Sequence, residues 1–154
     1  MNAPSPLLEL RDVTFTYATP GQTTTPRCVL DDITLSVQPG EIVALIGPSG
    51  CGKSTLLNLL AGFLRPTRGA VLMNGQPVNC PAPERAVIFQ SDALFPWLTV
   101  RSNVAFGPAC RHDRQQLAQV DDYLALVGLD GFPDYYPSQL SAGMRQRAEL
   151  ARVL

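Results

Sequence analysis

Gly47-Pro48-Ser49-Gly50-Cys51-Gly52-Lys53-Ser54-Thr55 is the stretch that decides how this chain of 154 residues is read. It fits the pattern G-x-x-x-x-G-K-[ST], a loop whose composition follows from the chemistry of holding phosphate. Glycines permit positive φ and let backbone N–H groups approach an anion with no Cβ in the way. A helix starting at the end of the loop would aim its free N–H groups and partial positive charge at the same point. Lys53 adds a point charge suited to the outer phosphates, and the Ser54 hydroxyl suits a magnesium ion. Lys53 is also the only lysine among the 12 basic residues, the others all being arginine. At Cys51 two readings stand side by side: a small side chain tolerated in the loop, or a thiol activated by the helix N-terminus.

Working outward from the loop, residues 42–46 form a short apolar run that predicts a strand buried on both faces. Residues 7–17 and 29–37 alternate apolar and polar positions, as half-buried strands do. Residues 18–26 are a polar loop rich in Gly, Pro and Thr. Downstream, residues 53–63 are apolar almost all round, which predicts a buried helix. Residues 70–73 lead into a turn at Asn74-Gly75, and 86–89 predict another short strand. The character then changes. Helices are expected over 99–106, 116–129 and 141–154, with Asp121 and Asp122 on the polar side of the second. The fold class predicted is α/β, with a strand-rich part over 1–90 and a helical part over 91–154.

Composition narrows the classes. Apolar residues make up 45% and charged residues 16%, as in a globular domain. No run reaches the roughly 18 apolar residues of a membrane span. The first ten residues show no secretory pattern, so a cytoplasmic setting is expected. A net charge of −1 argues against nucleic acid as a partner. The four cysteines have no C-x-x-C spacing and there is a single histidine, His112, so no zinc site is expected.

A phosphate loop alone does not separate kinases, GTPases and transport ATPases. Leu140-Ser141-Ala142-Gly143-Met144-Arg145-Gln146-Arg147 resembles the signature L-S-G-G-[QM]-x-Q-R of ATP-binding cassette (ABC) ATPases. Tyr17, upstream of the loop, resembles the aromatic that stacks on adenine in that family, with an ordinary strand aromatic as the weaker alternative. Gln90 resembles the glutamine that contacts Mg²⁺ and the attacking water, or else a polar residue at a strand end. Arg145 and Arg147 admit a second reading as a solvated helix face, and Arg152 is read in that way.

The resemblance implies a P-loop NTPase core with a helical subdomain, using ATP and Mg²⁺. It implies nucleotide contacts from Tyr17, Gly47, Pro48, Ser49, Gly50, Cys51, Gly52, Lys53, Ser54 and Thr55. Lys53 and Gln90 would be catalytic, and Ser54 and Gln90 would ligate the metal. Ser141 and Gly143 would face the nucleotide of a second subunit in a head-to-tail dimer. No coiled coil interrupts the stretch between Gln90 and Leu140, which favours a transporter over DNA-repair members. Residues 94–107 resemble importer subunits, and Pro96-Trp97 is similar to the nitrate/taurine/aliphatic-sulfonate branch. The implied partners are permease subunits, with the protein peripheral on the cytoplasmic face of the inner membrane.

Two departures accompany the resemblance. Ala142 stands where the family usually has glycine, and its methyl group can crowd the approach to a partner's nucleotide. None of the 13 acidic residues follows an apolar strand as the Walker B carboxylates do, and His112 precedes the signature, unlike the family's switch histidine. A longer family domain, with its C-terminal part missing here, is the expectation. Two functions remain open at this stage: an ATPase subunit energising import, or a nucleotide-binding fragment or regulatory module without turnover.

Overall fold

A computed structural model describes residues 5–17, 27–89 and 93–154. They fall into two compact units, Met1–Ala86 and Val87–Leu154, each with its own core.

The first unit is built on a four-stranded sheet in the order β2-β1-β3-β4. Its strands are β1 (Leu8–Tyr17), β2 (Arg27–Val37), β3 (Arg68–Met73) and β4 (Gln76–Pro77). Every pairing is antiparallel. Alternation sets the register: Leu10 opposes Leu35 on one side of β1 and Val71 on the other. A two-residue turn joins β3 to β4, with φ of 50° at Asn74 and 74° at Gly75, the doubly positive geometry that Asn-Gly favours. Asp12 and Asp32, at φ 49° and 51°, sit where the β1–β2 ladder slips. Thr34 and Thr14 hydroxyls accept their backbone N–H groups there. Helix α1 (Lys53–Ala61) packs Leu56 and Leu59 into the same core as Leu10, Val13, Phe15 and Val71. Burying a leucine of this kind contributes about 1.5–3 kcal/mol.

Three expectations about residues 42–89 are corrected. Residues 42–46 form no strand, and Ile42 and Ile46 are 96% and 93% exposed. Residues 86–89 form no strand either, leaving Ile88 and Phe89 half exposed. A strand exists only as part of a hydrogen-bonded ladder with a second strand. Apolar character alone could not supply it. The sheet that does form is antiparallel. Helix α1 is likewise not buried all round, since Leu57 is half exposed.

The second unit is helical. It comprises α2 (Val100–Cys110), α3 (Arg114–Ala118), α4 (Val120–Leu126), a 3₁₀ turn at Pro137–Gln139 and α5 (Ala142–Val153). The single helix expected over 116–129 is broken at Gln119, so Leu117 stays near the surface while Val120, Leu124 and Val127 enter the core. Those three pack with Val100, Val104, Leu140, Ala148 and Ala151.

Candidate functional site

The glycine loop runs from Gly47 to Gly52 and delivers the chain into α1. Gly50 and Gly52 hold φ of 80° and 97°, the left-handed region that side chains avoid. At Gly52 the restriction is also steric, because a Cβ would lie 2.9 Å from Leu30 Cδ2 and 3.1 Å from the Val29 carbonyl oxygen. Gly52 occupies the N-cap position of α1 and so provides no side-chain cap, and the first turn contains no acidic residue. Its N–H groups are therefore left to a ligand instead of being satisfied by a side chain. Pro48, Ser49, Gly50, Cys51 and Ser54 are all exposed.

Lys53 folds back over the loop. Its Nζ donates to the carbonyl oxygens of Gly47 (2.8 Å) and Pro48 (2.7 Å) and lies 3.6 Å from Cys51 Sγ. The ammonium is thereby tethered to the carbonyls of the glycine loop. Tyr17 ends β1 with its hydroxyl 3.5 Å from Thr55 Oγ1, and its ring meets Phe15 edge-on at 4.8 Å between centroids. The structure thus brings Tyr17, far upstream in sequence, to the helix that follows the loop. Tyr17 is a half-exposed aromatic beside the glycine loop, a kind of side chain suited to stacking. Gln90 lies outside the described residues.

In the second unit Ser141 caps α5, its Oγ accepting the Met144 N–H at 3.3 Å. Ala142 and Gly143 are exposed in the first turn, and a Cβ on Gly143 would meet nothing within 4 Å. The arginines behind them are anchored to backbone. Arg145 donates to the Leu140 carbonyl (2.7 Å), and Arg147 to the carbonyls of Val127 (3.0 Å) and Gly128 (3.2 Å), closing the end of α4.

The family model described as ABC transporter matches residues 30–154. The chain belongs to the ABC transporter family. Among relatives of this ABC chain, the taurine import ATP-binding protein TauB of Jannaschia sp. is 49% identical over 127 residues, covering 81% of this chain and 47% of the relative. The nitrate import ATP-binding protein NrtD of Synechococcus elongatus is 46% identical over 133 residues, covering 84% and 48%. The chain therefore spans about half the length of the curated relatives it matches. Its fold is that of an ABC cassette. A dimeric ATP-binding cassette in a post-hydrolysis state bound to ADP and Pi superposes with a TM-score of 0.79 at 29% identity, covering 96% of this chain and 68% of that one. A structure of an ATP-binding subunit of an ABC transporter gives 0.76 at 28% identity, covering 95% and 60%.

Several residues of this ABC unit escaped the sequence reading. Asn103 is fully buried (0% exposed). Its Oδ1 accepts the Phe95 N–H, and its Nδ2 reaches the carbonyls of Phe95, Leu98 and Thr99. Glu149, 5% exposed, accepts the Ala93 N–H at 2.7 Å. Arg152 is not a solvated residue, because it donates to the Ala93 carbonyl and lies 4.5 Å over the Phe95 ring. Two of them left a signal: Asn103 as a polar residue among the apolar positions of α2, and Glu149 as an acid beside Ala148 and Ala151 on the inward face of α5.

Proposed function

We propose that this chain carries the nucleotide-binding and signature elements of an ABC import subunit that couples ATP to solute uptake. The observation that carries the reading is the open N-terminus of α1 behind two left-handed glycines, with Lys53 poised over it. In this reading backbone N–H groups and Lys53 receive the phosphates, and Tyr17 stacks on the adenine. The Thr55 hydroxyl, within reach of Tyr17, ties that ring to the first turn of α1.

Magnesium fits this donor set. Among the described residues no three or more His, Cys, Asp or Glu side chains gather to cage a metal. Mg²⁺ bound beside a nucleotide needs only one or two protein ligands, with phosphate oxygens and water completing its shell. The exposed Ser54 hydroxyl, with Gln90 as a second ligand, is such a set. The bound ion would neutralise charge on the phosphates. Lys53 and the loop N–H groups orient the same oxygens from the other side.

Relatives named for taurine and nitrate import support an importer, and the dimeric cassette supports a pair of subunits. Ser141 and Gly143 would face the nucleotide held by the second subunit, and permease subunits would meet the aromatic surface around Trp97. Among the described residues no helix is long and apolar enough to cross a membrane, which suits a peripheral subunit on the cytoplasmic face. Hydrolysis is proposed for the whole subunit, whereas the residues described here account for binding.

Ser141→Arg tests this division of labour. The new side chain stands at the exposed start of α5, so ATP-dependent dimerisation followed by light scattering should be lost while the monomer binds Mg-ATP as before. Equal loss of dimerisation and of monomer binding would contradict it.

A further inference from the structure

Helix α5 ends in a grip. Both backbone polar groups of Ala93 are held by side chains from its last turns, the N–H by Glu149 and the carbonyl by Arg152. Arg152 also covers the Phe95 ring, which in turn touches Trp97 (5.5 Å between centroids) and Phe106 (4.6 Å). Trp97 is 70% exposed, so the gripped segment presents an aromatic surface. Behind it Asn103 fixes the rest of the loop to α2. The other end of α5 is the exposed Ser141–Gly143 turn. Twelve helical residues span roughly 18 Å, so one straight element joins the two surfaces.

A buried carboxylate on a backbone N–H, with a guanidinium on the adjoining carbonyl, leaves the loop little freedom to move apart from α5. Hydrogen bonds to charged groups are the stronger kind, and a partly buried cation over a ring adds to them. We propose that Glu149 and Arg152 are positioning residues that clamp the Ala93–Trp97 loop to α5, so that nucleotide engaged at Ser141–Gly143 shifts or stiffens the Trp97 surface as part of one rigid body. This deepens the function proposed above and rests on it. Neither residue belongs to the glycine loop or to the Ser141–Gly143 turn. Their role is to make two distant surfaces answer together, and such coupling requires a demonstrated joint response.

Hydrogen exchange of the 93–98 peptide in the full chain reads that response. The probe is Mg²⁺ with a non-hydrolysable ATP analogue, at protein concentrations where the dimer forms. In the native protein, nucleotide should slow exchange of this peptide severalfold. Replacing both residues (Glu149→Ala with Arg152→Ala) should speed exchange without nucleotide by about tenfold or more, as loss of charge-assisted bonds implies. It should also abolish the nucleotide effect while the analogue's monomer Kd stays within about twofold of native. Glu149→Gln keeps an oxygen acceptor and should preserve most of the response. Arg152→Ala alone serves if the double variant does not fold, and should lose most of the nucleotide effect. Ser141→Arg should remove the response with the clamp intact.

A merely structural role would raise exchange in the clamp variants yet leave the nucleotide effect in place, and that result overturns the proposal. Native protein that binds the analogue and dimerises with no change at 93–98 overturns it too, without touching the proposed function. Failure of the native protein to bind the analogue would instead overturn the proposed function, and the clamp's role with it.

Discussion

Two loops in this protein lead into helices, and they are finished in opposite ways. The one before α1 ends on Gly52, which offers no side chain to the first turn. The one before α2 ends on Thr99, whose hydroxyl accepts the Ser102 N–H at 3.2 Å, while Asn103 satisfies the backbone of Phe95, Leu98 and Thr99. Donors left open at the first suit it to an anion that comes and goes. Donors and acceptors consumed internally at the second suit it to a surface of fixed shape. Binding and presenting are therefore separated at the level of caps.

That contrast breaks most forcefully at Asn103. Asn103→Ala orphans the part-buried Phe95 N–H and removes the donor from three carbonyls, so a loss of about 3 kcal/mol is expected as a lower urea midpoint. Mg-ATP affinity of the folded monomer should be unchanged. A shift below about 1 kcal/mol would mean that water replaces the amide and that the loop is not built on it.

Gly52→Ala should behave inversely. The left-handed backbone and the close Leu30 methyl imply about 1–3 kcal/mol of strain, and relief of that strain must distort the loop. Nucleotide binding should fall sharply, with a smaller change in stability than at Asn103. A variant that binds Mg-ATP normally would show that the left-handed turn is not needed for the site.

How much of this was legible in the sequence follows the range of the interactions. The glycine loop, the Asn74-Gly75 turn and the Ser141 cap depend mainly on residues close to one another in sequence, and their patterns are written locally. Tyr17 could be matched to the loop only through the family resemblance, because the β1 strand carries it there. The strands read at 42–46 and 86–89 failed because an apolar run states a preference for burial without naming a partner. Arg152 was read as part of a solvated face because its acceptor, the Ala93 carbonyl, lies far away in sequence, and the Val127 and Gly128 carbonyls that hold Arg147 are equally out of local reach. Glu149 and Asn103 left a fainter trace, being polar groups on faces that are otherwise apolar.

The comparison sharpens at Thr99. Thr99→Ala removes a side-chain N-cap, and caps of this type contribute about 1 kcal/mol. The urea midpoint should drop modestly and Mg-ATP affinity should hold. No measurable change would assign the stability of that loop to Asn103 alone.

The central claim, that phosphate is held at the open end of α1 under Lys53, is tested most directly by titrating Mg-ATP into the native protein and into Lys53→Ala. Losing a charge-assisted contact of about 1.5–3 kcal/mol should weaken binding between about tenfold and a hundredfold, with the fold intact. Native affinity in the folded Lys53→Ala protein would contradict the account and place the nucleotide elsewhere.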